Sequence, residues 1–93
     1  MMTVHKYVVH ITDEPRVPMP QGAQVLSVGV QDDLVCIWAL VDPAAPYETR
    51  PFSMRGTGHP ASGLENVPFI GTVMMAGLAG RALVFHVWDG VPE

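Results

Sequence analysis

Arg55-Gly56-Thr57-Gly58-His59 places a guanidinium, a hydroxyl, flexible backbone amides and an imidazole within five consecutive positions. Such a set suits an anion or a nucleotide. Arginine offers a fork of donors, glycine lets main-chain N–H groups come close, and the hydroxyl and imidazole add directed hydrogen bonds. It is not a dinucleotide fingerprint, because no helix is expected after it whose N-terminus could receive a pyrophosphate, and the Gly-Lys-Ser/Thr ending of a P-loop is missing. A glycine-rich turn leaving a strand accounts for the same residues without a ligand, so both readings stand. His59, within the loop Gly58-His59-Pro60-Ala61-Ser62-Gly63, fits ligand contact or plain loop structure equally well. Tyr47 follows Pro46 in an exposed context suited to stacking on a base, and Trp38 fits either stacking or packing.

No catalytic constellation stands beside this segment. The other histidines, His5, His10 and His86, lack the spacing of a zinc site on strands. His5 and His10 would point to opposite faces of a regular strand. His86, between Phe85 and Val87, reads as a hydrogen-bonded structural residue. Cys36 is the single cysteine, so no intrachain disulfide forms, and its apolar strand suits a buried, inert thiol. Asp32 and Asp33 are turn residues by type, and Asp42 before Pro43 ends a strand. The expectation is a protein without catalytic residues, metal ligands or a cofactor.

The elements that must position these residues are short and β-like. With 93 residues, the chain accommodates one domain, residues 1–93. Charged residues make up 15% against about 25% in typical soluble domains, while hydrophobic residues reach 48%, which excludes disorder. So small a domain has no staple available and a surplus of apolar side chains, which points to a homo-oligomer, for instance a tetramer. A net charge of −4 and the scattered cations Lys6, Arg16, Arg50, Arg55 and Arg81 argue against binding duplex nucleic acid. No signal-peptide pattern and no run of 18 apolar residues is present, so neither export nor a membrane span is expected, and a cytoplasmic setting is.

Val4 to Ile11 reads as a strand, and the prolines and glycine up to Gly22 then read as an extended connection. Val25 to Gln31 alternates, with Leu26, Val28 and Val30 on one face and Val25, Ser27 and Gly29 on the other; with Leu34 to Val41 it forms a hairpin about Asp32-Asp33. Tyr47 to Thr57 is a fourth extended stretch, and Pro51 assigns it to a sheet edge. Val67 to Met75 and Ala82 to Trp88 complete about six strands, joined by a turn over Ala76 to Arg81. The fold class is all-β and mainly antiparallel: a small barrel or sandwich with little helix.

The ordered set Gly22-Ala23-Gln24-Val25-Leu26-Ser27-Val28, Cys36-Ile37-Trp38-Ala39-Leu40-Val41-Asp42-Pro43, Gly56-Thr57-Gly58-His59-Pro60, Phe69-Ile70-Gly71-Thr72 and Leu83-Val84-Phe85-His86-Val87 resembles a family of small bacteriophage proteins. That family is similar to the anti-CBASS sponges, which bind cyclic dinucleotide defence signals such as cyclic GMP-AMP in an oligomer and sequester them without cleavage. The resemblance implies a ligand-binding, non-enzymatic protein of the host cytoplasm. It brings no ligand residues with it. On the residues alone, Arg55, Thr57 and His59 would meet phosphate or base edges, and Tyr47 and Trp38 would stack. A protein-interaction module that docks on a host protein through an apolar surface is the alternative.

Overall fold

The Asp32-Asp33 turn sets the register of the central hairpin. Both residues take positive φ, 53° and 60°, the type I′ geometry whose twist matches that of the flanking strands. The computed structural model describes all 93 residues apart from the side chain of Leu78. Eight strands run β1 (Thr3–Val8), β2 (Arg16–Pro20), β3 (Gln24–Gln31), β4 (Leu34–Val41), β5 (Tyr47–Pro51), β6 (Ser53–Gly56), β7 (Phe69–Ala76) and β8 (Ala82–Trp88), with one 3₁₀ turn at Leu78–Gly80. They form three small antiparallel sheets, ordered β1-β4-β3, β2-β5 and β6-β8-β7. The fold is all-β, as the patterning indicates, but its sheets are not closed into a barrel.

Within the hairpin, Val25 opposes Ala39 while Ser27 opposes Trp38, so a bulge at Leu26 shifts the register by one residue. The bulge corrects the simple alternation. Val25 joins Val28 and Val30 against the core, and Leu26 is left exposed. In β4, Val35, Ile37, Ala39 and Val41 face inward and are almost wholly buried. Cys36 is buried too, as a free thiol.

The segment before Gly22 is a strand and not merely a connection. Its odd positions carry the ladder, because the Phe52 N–H donates to the Pro15 carbonyl at 2.9 Å, and main-chain groups alternate sides along a strand. The nitrogens of Pro18 and Pro20 therefore point away from β5, where no donor is missed. Val17 and Met19 meanwhile supply core side chains.

The single stretch expected over Tyr47 to Thr57 is divided at Phe52, which is fully buried. The chain passes there from the β2-β5 sheet into the β6-β8-β7 sheet. Phe52, Met54, Val73 and Val87 meet the side chains of β2 and β4 in one core. Across the seam between β3 and β7, Val28 lies against Gly71, where an added Cβ would stand 3.2 Å from a Val28 methyl.

Candidate ligand-binding face

The central strand of the last sheet, β8, alternates so that Phe85 and Val87 face the core while Val84, His86 and Trp88 face outward. Pairing fixes their neighbours. Arg55 and Thr72 stand opposite His86, and Ser53 and Phe69 stand opposite Trp88. Directly opposed residues share a face. Two adjacent rows therefore cross the three strands, Arg55·His86·Thr72 and Ser53·Trp88·Phe69.

His86 is held from both sides. Its Nε2 lies 2.8 Å from Thr57 Oγ1 and its Nδ1 lies 2.9 Å from Thr72 Oγ1. With a neutral ring, one nitrogen donates to a hydroxyl and the other accepts from one. The ring plane is thereby fixed by two separate segments of chain. In the next row Phe69 meets Trp88 edge-on at 5.3 Å between ring centroids, and the indole stands 6.5 Å from the imidazole.

Arg55 reaches this face half-buried and largely engaged. Its Nη1 donates to the carbonyls of Asp13, at 2.7 Å, and Met54, at 3.0 Å, while its Nε donates to the Pro60 carbonyl at 3.1 Å. It ties the loop after β6 to the segment before β2. Its Nη2 makes none of these bonds.

His59 lies across Gly56. A Cβ added there would come within 3.3 Å of the imidazole, so the glycine makes the ring's close approach possible. Two grooves open beside this ring. One, about 440 Å³, runs along Thr57, Leu83 and Val84; the other, about 210 Å³, reaches Ile11, Asp13 and Met54. Gly56, His59 and Phe85 line both.

The structure thus gathers Arg55, Thr57 and His59 at one end of β6. It does not bring Tyr47 or Trp38 to them. Tyr47 sits in β5 of the β2-β5 sheet. Trp38 lies on the outer face of the β1-β4-β3 sheet, over Gly29, where a Cβ would stand 3.2 Å from its ring. Of the residues that do share the face, the sequence marks Trp88 as core or a stacking platform and His86 as a hydrogen-bonded structural histidine, which its two threonine bonds match; Phe69 and Thr72 are not singled out by it. The period of two places His86 with Trp88; only the β7–β8 register adds Thr72 and Phe69. Among the described residues no group of three or more His, Cys, Asp or Glu is placed to hold a metal ion.

Residues 1–93 match a domain of unknown function, DUF7352. The chain belongs to the DUF7352 family. No curated protein and no solved structure matches this DUF7352 chain. No helix among its described residues is long and apolar enough to cross a membrane.

Proposed function

We propose that this DUF7352 protein is a non-enzymatic binding protein that retains small phosphorylated nucleotides, cyclic dinucleotides such as cyclic GMP-AMP among them, in a homo-oligomer. The observation that carries the reading is the pair of adjacent rows on one sheet face. Trp88 and Phe69 offer aromatic surface for a base, Arg55 Nη2 lies outside the carbonyl bonds, and of Thr57 and Thr72 the one that accepts from His86 keeps its own O–H for phosphate or base edges. The net charge of −4 opposes an anionic ligand, which places the demand on a few aimed donors instead of a basic field. The resemblance to anti-CBASS sponges supplies the ligand class.

The test is to incubate the protein with a panel of cyclic dinucleotides and trinucleotides and to measure free ligand before and after protease destroys the protein. Intact ligand withheld and then released is the expected result. Converted ligand means an enzyme, and no depletion anywhere on the panel overturns the reading. Phe69→Ala is the site variant of choice, because Phe69 is 54% exposed and Arg55 is already engaged by three carbonyls. Loss of a stacking partner worth about 1–3 kcal/mol predicts roughly 5- to 150-fold weaker retention by a folded protein.

A second reading has its own observation. Val4, Val8 and Leu34 are about half exposed on the outer face of the β1-β4-β3 sheet, around Trp38. Such a face suits a protein-interaction module. It is favoured if the nucleotide panel shows no binding.

A further inference from the structure

Thr57, His86 and Thr72 form one hydrogen-bonded row across three segments of chain, with 2.8 Å from Thr57 Oγ1 to Nε2 and 2.9 Å from Nδ1 to Thr72 Oγ1. Both threonines are exposed and the imidazole is half-buried. Such a row has two charge states with different donor inventories. When the ring is neutral, its lone-pair nitrogen takes the O–H of one threonine, and only the other hydroxyl keeps a hydrogen to give. When the ring is protonated, both nitrogens donate to the threonine oxygens, so both hydroxyl hydrogens are free for a ligand and the row gains one positive charge. Protonation thus turns one free donor into two flanking a cation, which is the complement of an oxyanion.

Few charged or titratable groups surround this row. β6 brings Arg55 directly opposite His86, and the loop after it brings His59 to the groove that Thr57 lines. β7 has none from Phe69 to Ala76, and β8 has none but His86 from Ala82 to Trp88. Asp13 reaches β6 from the segment before β2, but it lines the 210 Å³ groove with the core-facing Met54 and Phe85, on the other side of the sheet. Asp89, just past β8, is paired with Arg50 at 2.9 Å. Among the described residues, these elements set no carboxylate over the row.

From the two bonds, the exposed hydroxyls and these surroundings, we infer that Thr57, His86 and Thr72 form an oxyanion-binding site whose ligand binds with uptake of one proton at His86. The ligand class is a tetrahedral oxyanion, either a free sulfate or phosphate or the phosphodiester of a nucleotide; only the nucleotide case rests on the function proposed above. The coupling is reciprocal. Lower pH tightens the anion, and the anion raises the pH at which His86 loses its proton.

Sulfate is the probe, because its charge is constant between about pH 5.5 and pH 8, where histidine side chains change theirs. The imidazole signals of His86 and His59 are followed separately by NMR as pH is varied, in sodium sulfate and in sodium chloride of equal ionic strength. Sulfate should move the protonation midpoint of His86 to higher pH by about one unit, equivalent to about tenfold tighter binding by the protonated ring. Thr72→Val keeps the branched shape but removes one hydroxyl, and it should weaken sulfate about fivefold at the acidic end. His86→Gln should bind sulfate with one affinity across the range. No displacement at His86, a displacement confined to His59, or a pH dependence that persists in His86→Gln overturns the proposal. Cyclic GMP-AMP, whose phosphodiester charge is also constant here, tests the nucleotide reading separately. Its retention without any sulfate response at His86 overturns the proton-coupled site and leaves the nucleotide reading standing; a sulfate response without nucleotide retention does the reverse.

Discussion

The Tyr7 hydroxyl is shut off from solvent and makes no hydrogen bond within bonding geometry. The Tyr47 phenol stands near it, outside that geometry but close enough to oppose ionisation. Burial first, and Tyr47 second, push the Tyr7 phenol up from its ordinary value of 10.0. The folded protein therefore holds this proton after the unfolded chain has released it. The associated stability is fully present below pH 10.0 and is lost as pH rises through the higher folded value. Tyr7→Phe should flatten that alkaline decline, and at neutral pH it should be neutral to slightly stabilising, because a buried hydroxyl without a partner is removed. Urea midpoints at neutral and strongly alkaline pH check both; a decline equally steep in the variant would assign it to other groups. This pair also shows what Tyr47 does in the fold. From sequence it reads as a stacking residue, whereas in the structure it abuts Tyr7 and lies in a different sheet from Arg55.

At the scale of elements, the hairpin was legible because its turn and both strands are local. Asp32-Asp33 carries a turn signal, and the two runs beside it are β-branched and apolar. The bulge at Leu26 was less visible, since apolar residues on both sides of it satisfy either register until β4 is in place. Two aspartates at positive φ are a compromise that glycine would relieve. Asp33→Gly should thus raise stability by about 1 kcal/mol, seen as a higher denaturant midpoint with an unchanged slope. A drop would mean that the aspartate contributes a favourable interaction of its own. β2 was obscured by its prolines. Pro18 and Pro20 break the usual strand pattern, yet they are harmless where their nitrogens face away from β5, and that depends on pairing with Thr49 and Tyr47, distant in sequence.

The whole molecule is flat, with principal extents of 44 × 32 × 16 Å. All three sheets contribute to one thin core, and the outer face of the β1-β4-β3 sheet is mixed, with Lys6 opposite Trp38 and bonded to Gln31. Its accessible surface of 5660 Å² slightly exceeds the roughly 5,300 Å² typical of this mass. With Val4, Val8 and Leu34 about half exposed beside Trp38, the proposed homo-oligomer would bury this face. Sedimentation of the parent should then give a species heavier than the 10.1 kDa chain, and Val8→Lys with Leu34→Lys should return it to a monomer without loss of fold. A monomeric parent would remove self-association from the proposal and leave the face to another partner.

The sequence by itself determined the all-β class, the central hairpin and the edge position of the Pro51 segment. Each follows from side-chain periodicity and turn chemistry over fewer than twenty residues. It also placed Arg55, Thr57 and His59 together, because neighbours in the chain remain neighbours in space. Only the tertiary structure decided that Thr72 and Phe69 join His86 and Trp88, that Arg55 spends most of its donors on carbonyls, and that β8 outruns β6. Those facts depend on strand register and strand length. Both are settled by the burial of Phe52, Met54, Val73 and Val87 in a shared core, a long-range balance that no single segment encodes.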